Sequence, residues 1–262
     1  VVDSSGKGTL DLGIISEDLI GDLMGSSTTV GYGTNAVLFT GISLVKTGAG
    51  NDVFNISGTY TLNIASGDGD DIFKFTDSGK VVGTLDAGEG TNTLDFTGYG
   101  NNVAINLADM KVSAGDQLIL SKFANIHKLI GSSHADQNDT VTGPNRDARF
   151  SITGDNIGSI SWTAAANPAL TIIMLFEGIE SLIGGSGNDI FAVIGSGKLS
   201  STVDGGAGLN TLDYSGYNKG DGSGVVVDLL SGKATSIGGF LDNIVKNIKA
   251  VIGSDYNDEL SG

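Results

Sequence analysis

The sequence predicts an all-β protein, a right-handed parallel β-solenoid in which short strands stack in coils of about 20 residues. One glycine-rich turn motif returns along the chain, and its clearest copy is Gly184–Phe191, which reads Gly-Gly-Ser-Gly-Asn-Asp-Ile-Phe. Apolar residues that alternate with polar ones follow most copies. A turn that recurs in this way is typical of stacked repeats rather than of a globule built around one active site.

Each copy of the turn motif combines glycines, then Asp or Asn, then an apolar residue. Glycine reaches positive φ at little steric cost, which suits it to such turns. Asp71 follows Asp52 by 19 residues, and Asn92 follows Asp71 by 21, so one motif falls in each predicted coil. The further copies are Gly48–Phe54, Gly67–Phe73, Gly88–Leu94, Gly205–Leu212 and Gly253–Leu260.

The residues after each turn predict strands. They alternate apolar and polar positions with a period of two, which places the apolar side chains on one face. In a parallel stack the equivalent residues of successive coils lie about 4.8 Å apart. We therefore expect continuous apolar rows in the core, built from Phe54 and Ile56, Phe73 and Phe75, Leu94 and Phe96.

The repeats are nested in a longer unit. Residues 67–100 align with residues 185–218 without a gap. A second repeated element precedes a glycine turn and has three apolar residues at intervals of three positions. The first is Phe or Val, the second is Ile, and the third is Leu or Val. Its copies begin at Phe39, Phe123, Phe176 and Val245.

These patterns divide the chain into four segments. Residues 1–45 hold N-terminal coils with a short helix over Ser16–Met24, indicated by a Ser cap and acidic residues in the first turn. Residues 46–143 form a first repeat block, and residues 179–262 form a second block, truncated at its C-terminus. Residues 144–178 lack the glycine-aspartate turn and predict an irregular insertion or seam. We interpret the chain as a fragment of a much longer protein.

Composition restricts the partners and the chemistry. The formal net charge is −16, which disfavours nucleic acid and anionic membranes and suits divalent cations. The chain has no Cys, which excludes disulfides and thiolate metal sites. No apolar run is long enough to cross a bilayer, so we expect no membrane insertion.

The glycine-aspartate turns also predict a cation site. Exposed glycine carbonyls and an Asp carboxylate together make an oxygen-rich pocket, and Ca²⁺ accepts several oxygen ligands at flexible geometry. One turn supplies too few ligands, whereas two stacked turns supply enough. An alternative is that Asp and Asn only cap their own turns through side-chain to backbone hydrogen bonds, with no metal.

The turns resemble the nonapeptide repeats of repeats-in-toxin (RTX) proteins, whose pattern Gly-Gly-x-Gly-x-Asp-x-apolar-x is met in full by Gly184–Ala192. The resemblance implies calcium bound between coils of a parallel β-roll and folding after export from a bacterial cell. Asn92 and Asn210 depart from the pattern by replacing Asp. The ligands that the resemblance implies are the carboxylates of Asp52, Asp71 and Asp189 and the carbonyls of Gly48, Gly50, Gly67, Gly69, Gly185 and Gly187.

The longer pattern is similar to the degenerate repeats of giant bacterial secreted or surface adhesin-like proteins. The segments that carry this similarity are Phe176–Asp189 and Gly205–Ser215. It implies a non-enzymatic extracellular scaffold or adhesion segment. The expected partners are neighbouring repeats of the same chain, further copies that assemble end to end or laterally into filaments, and a cell-surface glycan.

Two other functions remain open from the sequence. One is a calcium-dependent secretion and folding module attached to an exported enzyme or toxin. The other is a polysaccharide-active β-helix, with Asp95 and Asp213 as an acid and base pair. The equivalent positions of these two Asp residues in two repeats favour a structural row.

Residues 127–178 hold further polar candidates. Arg146 and Arg149 with Trp162 suggest a surface for a sugar or an anion, with a covering loop as the alternative. His127 and His134 are interpreted as exposed loop residues rather than as a catalytic pair, because no activated nucleophile or metal-ligand spacing lies near them.

Overall fold

The protein is almost entirely β-structure, which confirms the predicted all-β class. A computed structural model describes residues 1–25, 27–133 and 138–262. Within these ranges the only helical segment is a 3₁₀ turn at Gly238–Phe240. None of the described residues lies in a helix that is long and apolar enough to span a membrane.

The strands are short, and most of them bury alternate residues. Those of the first half of the chain are β1 (Gly8–Asp11), β2 (Ile20–Met24), β3 (Ser27–Tyr32), β4 (Asn35–Leu38), β5 (Ile42–Lys46), β6 (Val53–Ile56), β7 (Thr59–Tyr60), β8 (Asn63–Ala65), β9 (Ile72–Phe75), β10 (Lys80–Asp86), β11 (Thr93–Asp95), β12 (Ala104–Asn106), β13 (Lys111–Ala114) and β14 (Gln117–Ala124).

The second half continues with strands of similar length. They are β15 (Lys128–Ile130), β16 (Thr140–Thr142), β17 (Ala148–Gly154), β18 (Ile157–Thr163), β19 (Thr171–Glu177), β20 (Ser181–Ile183), β21 (Ile190–Val193), β22 (Val203–Asp204), β23 (Asn210–Asp213), β24 (Val226–Asp228), β25 (Lys233–Ala234), β26 (Val245–Lys246), β27 (Ile248–Ile252) and β28 (Glu259–Ser261).

The chain divides into two compact units. The first comprises Val1–Val103 and Met110–Asp136, and the second comprises Ala104–Asp109 and Gln137–Gly262.

In the first unit the strands form two sheets with mostly parallel pairing. One sheet has the order β1-β5-β8-β10-β14-β13, with β7 also paired to β10, and the other has the order β15-β11-β9-β6-β2-β3-β4. In the second of these sheets, Val53 pairs with Ile72, and Ile72 pairs with Thr93. The pairing therefore places equivalent residues of successive turn motifs side by side.

The second unit repeats this organisation. One sheet has the order β12-β16-β20-β22-β26, another has the order β27-β23-β21-β17-β18-β19, and a small sheet has the order β25-β24-β28. Parallel pairing again joins equivalent residues, such as Ile190 with Thr211 and Leu182 with Val203.

The number of residues from one parallel strand to the strand that it pairs with falls into two ranges. Hydrogen bonds between successive turns span 19 residues from Asp52 to Asp71 and 21 from Asp71 to Asn92. Others span 33, 35 or 41 residues. Antiparallel strands account for the longer steps, since β3 and β4, β13 and β14, or β18 and β19 lie between the paired strands. A spacing near 20 therefore applies only to part of the chain.

Stacked aromatic rings fill the core. The ring centroids of Phe54 and Phe73 lie 5.3 Å apart with an interplanar angle of 8°. In the second unit Phe150 and Phe191 lie 4.5 Å apart at 13°. All four side chains are buried, which confirms the predicted core role of Phe54, Phe73 and Phe191. The rings stack because parallel pairing in register places identical side chains directly above one another.

The predicted helix at Ser16–Met24 is wrong, because residues 20–24 form strand β2, which pairs in parallel with β6. Leu19, Gly21 and Leu23 are buried with a period of two, and this burial outweighs the local capping signal. Gly21 lies under the Phe54 ring so closely that a Cβ there would be 2.5 Å from a ring carbon. The Asp18 carboxylate accepts a hydrogen bond from the Asn51 amide instead of capping a helix.

The predicted irregular insertion at residues 144–178 is also wrong, because most of this segment is a regular antiparallel meander of β17, β18 and β19. Alternate residues of these strands, including Trp162, are buried in the core. The first unit has the same arrangement in β2, β3 and β4. Each meander leads to the sequence Phe-x-Gly-Ile, with Gly41 and Gly178 at positive φ. Residues 144–178 are therefore the counterpart of an element in the first unit.

The aromatic stack gives a stability prediction. Phe73→Ala removes a fully buried ring between β6 and β11, and we expect it to lower the free energy of unfolding by about 3–5 kcal/mol in urea denaturation. Val82→Ala, at a side chain that is 44% exposed on β10, is the control and should cost less than about 0.5 kcal/mol. Equal effects of the two changes would contradict a core centred on the ring stack.

Candidate functional site

The turn residues of the first unit form a hydrogen-bonded chain that we call the inner ladder. The Leu19 amide donates to Asp52 Oδ1, the Asp52 amide to Asp71 Oδ1, and the Asp71 amide to Asn92 Oδ1, each at 2.8 Å. The three acceptor side chains are fully buried. Each buried backbone N–H is thus satisfied by the side chain of the following turn.

His127 occupies the next position of the inner ladder. The Asn92 amide donates to His127 Nδ1 at 3.4 Å, and the His127 amide donates to the Asn92 carbonyl at 2.8 Å. The sequence interpretation of His127 as an exposed loop residue missed this contact. The contact arises because Thr93 pairs with Lys128 in the sheet, which brings together residues that are 35 positions apart in the chain. His134 lies outside the described residues.

A parallel outer ladder runs one residue earlier in each turn. The Asn51 amide donates to Asp18 Oδ1, the Asp70 amide to Asn51 Oδ1, and the Thr91 amide to Asp70 Oδ1, at 2.6–2.7 Å. These contacts lie in exposed surroundings. Of the consecutive Asn-Asp pair in the motif, the first residue therefore belongs to the outer ladder and the second to the inner ladder.

The second unit has both ladders as well. In the inner one, the Ala148 amide donates to Asp189 Oδ1 and the Asp189 amide donates to Asn210 Oδ1, each at 2.9 Å. In the outer one, the Asn188 amide donates to Asp147 Oδ1 at 2.8 Å. Asp189 thus occupies the position that Asp52 and Asp71 hold in the first unit.

The turn glycines let successive turns lie in direct contact. The Asp68 amide donates to the Gly48 carbonyl, and the Glu89 amide donates to the Gly67 carbonyl, both at 2.9 Å. Gly67 has φ +94°, and a Cβ there would lie 2.1 Å from the Gly48 carbonyl oxygen. The other predicted glycine ligands are similarly close to a neighbouring backbone, namely Gly48 against Ile15, Gly50 against Glu17, Gly69 against Gly50, Gly185 against Pro144 and Gly187 against Arg146.

The second carboxylate oxygens distinguish the three Asp residues. Asp52 Oδ2 and Asp71 Oδ2 are buried and have no hydrogen-bond partner among the described residues. Asp189 Oδ2, by contrast, accepts a hydrogen bond from the Gly185 amide at 3.0 Å. The neighbouring hydroxyls of Thr47 and Ser66 donate to the next turn's carbonyls, Ser66 O and Ala87 O, although each hydroxyl can rotate toward a carboxylate.

Burial sets the protonation of these carboxyl groups. Desolvation raises the pKa of Asp71 and of Asp189 to about 6, against the partly compensating effect of their hydrogen-bond donors. Desolvation also raises the pKa of Asp52. A buried carboxylate without a partner for one oxygen is costly, and a bound proton or cation removes that cost.

The contacts of Asn92 show which kind of group, a donor or an acceptor, suits the second side-chain position of the inner ladder. Its amide Nδ2 lies 2.9 Å from the Ala87 carbonyl oxygen, 3.0 Å from that of Asn125, and 3.4–3.5 Å from those of Glu89 and Gly88. All four neighbours are acceptors, so a donor belongs there. By register, Oδ2 of Asp71 takes the place of this amide nitrogen in the preceding turn. An acceptor there faces carbonyl oxygens, unless the Ser66 hydroxyl turns away from the Ala87 carbonyl and donates to it.

Calcium fits this donor set in part. The unpaired oxygens of Asp52 and Asp71 and the nearby carbonyls are hard ligands of the kind that Ca²⁺ prefers. The Gly48 and Gly67 carbonyls already accept one hydrogen bond each, which leaves one lone pair on each oxygen. The described part of the chain contains no group of three or more His, Cys, Asp or Glu side chains placed to hold a metal. Carbonyl groups would therefore supply most ligands.

The other candidates from the sequence have structural roles. Asp95 accepts hydrogen bonds from Thr97, and Asp213 accepts one from the Ser215 amide, so each caps its own turn. Arg149 forms an ion pair with Asp213 at 3.3 Å. Trp162 is only 6% exposed. The expected sugar or anion surface of Arg146, Arg149 and Trp162 is therefore not formed, since the ring is buried.

Comparison with known proteins adds no relative to this picture: no protein-family model and no curated protein matches the chain.

The unpaired oxygen predicts an unusual effect of charge removal. In chelator at pH 7.5, Asp71→Asn should raise the free energy of unfolding by on the order of 1–2 kcal/mol, because Oδ1 is kept and a donor replaces Oδ2. Asn92→Asp is the reciprocal change and should lower stability. Urea denaturation measures both, and a destabilised Asp71→Asn would contradict the acceptor conflict.

The same group predicts the pH dependence. Because the pKa of Asp71 rises from 3.8 to about 6 on folding, the metal-free fold binds more protons than the unfolded chain within this window. Stability should therefore fall as the pH rises from about 4 to about 6. The Asp71→Asn variant should show a weaker fall, and an unchanged profile would locate the titration elsewhere.

The close stacking of turns gives a prediction for glycine. Gly67→Ala should lower stability by more than about 2 kcal/mol, since it adds a clash with the Gly48 carbonyl to the strain of positive φ. Gly33→Ala is the matched control, with φ +55° and no atom within 4 Å of the added Cβ. It should show only the strain, about 1 kcal/mol. Equal losses would indicate that the turns are not in contact.

Proposed function

We propose that this chain is a structural repeat segment of a giant bacterial protein that is secreted or displayed on the cell surface. It acts as a non-enzymatic scaffold or adhesion segment. Its fold is a right-handed parallel β-solenoid, with coils of about 20 residues where no hairpin is inserted. The observation that carries the proposal is the inner ladder, in which every turn completes the hydrogen bonding of the turn before it.

This ladder suits an extended load-bearing segment. Each rung joins neighbouring turns only, so the same contact can be repeated from turn to turn along a chain of any length. The parallel pairing, the ring stacks and both ladders run between the same turns in each unit. Neighbouring repeats of the same chain are therefore the natural partners, and further copies can add to the stack.

Calcium is proposed as the ion of the first unit. The supporting observation is the pair of unpaired carboxylate oxygens of Asp52 and Asp71, in a chain with a net charge of −16. Ca²⁺ is abundant outside cells, and a cation at each carboxylate would remove the acceptor conflict there. At Asp189 both oxygens accept backbone hydrogen bonds, so the proposal does not extend to it.

The same observation supports a second function, a calcium-dependent folding module for export. The two functions differ in what the fold requires. A module of that kind folds only when calcium is bound, whereas a scaffold held together by the ladders folds without it and is stabilised further by the ion.

Calcium titration after chelator treatment tests the proposal. We expect the chelated protein to keep the circular-dichroism spectrum of β-structure and to unfold cooperatively. Added CaCl₂ should raise the Tm of the wild type, with a stabilisation of about 2.7 kcal/mol at about 100 times Kd. It should leave the Asp52→Asn/Asp71→Asn double variant unchanged.

The control and the contrary outcomes are distinct. Asp189→Asn should respond to calcium like the wild type, because its carboxylate is already occupied by backbone donors. An unfolded chelated protein would favour the folding module over the scaffold. Absence of any calorimetric heat and of any Tm shift would overturn the calcium assignment and leave the scaffold in place.

A further inference from the structure

The turns of the motif are of two types, which differ in the backbone of their glycines. In one type, the glycines four and two positions before the inner-ladder residue both have positive φ, between +67° and +124°. In the other type, no residue of the turn has positive φ. The first type comprises the turns 66–71, 87–92 and 205–210, and the second comprises the turns 47–52, 184–189 and 253–258.

The turns without positive φ direct a backbone amide at the inner-ladder side chain, and we call them amide-lined. At Asp189 the Gly185 amide donates to Oδ2 at 3.0 Å. At Asp258 the Ser254 amide, again four positions earlier, donates to Oδ2 at 2.8 Å. A carboxylate suits such a turn, because both of its oxygens accept hydrogen bonds.

The turns with positive φ direct carbonyls at the same side-chain atom, and we call them carbonyl-lined. Asn92 Nδ2 lies 2.9 Å from the Ala87 carbonyl oxygen of its own turn and 3.0 Å from the Asn125 carbonyl oxygen of the next turn. Asn210 Nδ2 makes the same two kinds of contact, at 3.0 and 3.2 Å. A side-chain amide suits such a turn, because its nitrogen donates two hydrogen bonds.

Asp71 is an exception to this match between turn and side chain. Its turn is carbonyl-lined, with Gly67 at φ +94° and Gly69 at φ +124°. The equivalent side chains in the other two carbonyl-lined turns are the amides of Asn92 and Asn210. Asp71 is fully buried, and its Oδ2 has no hydrogen-bond partner among the described residues. This turn therefore lacks a positive group that faces several oxygens at once.

Ser66 adds another oxygen beside Asp71. Its buried hydroxyl donates to the Ala87 carbonyl of the next turn at 3.1 Å. Burial raises the pKa of Asp71 to about 6, and the nearby Ser66 hydroxyl opposes that rise. One hydroxyl proton cannot serve both the carbonyl and the carboxylate. A cation that contacts both side-chain oxygens would let Ser66 keep its hydrogen bond to Ala87.

Asp52 lies in an amide-lined turn, so its unpaired Oδ2 has a different cause. In the turn of Asp189, the residue equivalent to Thr47 is Gly184, and a Cβ there would lie 2.4 Å from Oδ2. The Thr47 side chain therefore keeps the Asp52 carboxylate away from the position that Asp189 occupies. An amide N–H repels a cation, which makes this turn the poorer cation site of the two.

We propose that the carbonyl-lined turn 66–71 binds the first calcium ion of this chain, ahead of the Asp52 turn. The ligands are Asp71 Oδ2, the Ser66 hydroxyl, and the carbonyls of Ser66 and Ala87, which correspond to those that Asn92 contacts one turn later. This inference rests on the proposed calcium function. It goes beyond that function because it ranks the two carboxylates and assigns as a ligand Ser66, which precedes the repeated motif.

Calorimetric titration of the chelated protein with CaCl₂ tests the ranking. Asp71→Asn should weaken the tightest calcium site at least about ten-fold, whereas Asp52→Asn should change its Kd by less than about three-fold. Ser66→Ala should weaken the same site at least about three-fold, and Thr47→Ala, its counterpart in the Asp52 turn, should not. Each variant is first compared with the wild type by circular dichroism.

A gain of binding tests the turn type itself. Asn210→Asp places a carboxylate in the carbonyl-lined turn of the second unit and keeps Oδ1, which accepts from the Asp189 amide. We expect one additional calcium ion per chain. Asn188→Asp adds the same charge on the outer ladder, where Oδ1 accepts from the Leu209 amide, and should add none. If Asn210→Asp is unfolded, Asn92→Asp replaces it.

In chelator, the two turn types predict opposite effects of one substitution. Asp71→Asn should raise the urea midpoint, because an amide suits a carbonyl-lined turn. Asp189→Asn should lower it, because its new NH₂ group would face the Gly185 amide. Midpoint shifts of the same sign would overturn the assignment of turn types without reference to calcium.

The outcomes separate this proposal from the function on which it rests. A tightest site that Asp52→Asn removes and Asp71→Asn retains would overturn the ranking and leave the calcium function in place. An Asn210→Asp variant that binds no additional ion would do the same. A wild type that binds no calcium would overturn the ion assignment here together with that of the proposed function.

Discussion

The structure depends on one constraint, which is that every turn must satisfy the backbone N–H groups of the turn beside it. Strand pairing cannot do this where the chain bends, so the Asx side chains at Asp52, Asp71 and Asn92 extend the hydrogen bonding into the turns. A buried N–H without an acceptor is rare in folded proteins. The register of the sheets, the stacking of the Phe rings and the close approach of the glycines all follow from keeping these side chains aligned.

The same constraint explains why the site residues read as a metal motif. Gly and Asp are needed for the turn and its cap whether or not an ion binds, so the motif alone does not separate the two roles. The surroundings of the second side-chain oxygen, Oδ2, distinguish the capping role from the metal-ligand role. It is occupied at Asp189 by the Gly185 amide, replaced by a nitrogen at Asn92, and unpaired at Asp52 and Asp71.

The sequence predicted the parts of the fold that local repetition determines. The alternation around Phe54 and Phe73 and the 19- and 21-residue steps appear directly in the strand register. It failed where long-range pairing overrides a local signal. Asp18 looked like a helix N-terminal acid but belongs to the outer ladder, and residues 144–178 looked irregular because their strands pair antiparallel, without the turn motif. The contact of His127 with Asn92 joins residues 35 positions apart, which single-chain patterns do not reveal.

The two ladders run in opposite directions. In the inner ladder the earlier turn donates and the later turn accepts, as from Leu19 to Asp52. In the outer ladder the later turn donates to the earlier one, as from Asn51 to Asp18 and from Asn188 to Asp147. A damaged inner rung therefore leaves an open amide on its N-terminal side, and a damaged outer rung leaves one on its C-terminal side. Loss of a whole repeat would expose an open amide on both of the turns that it leaves behind.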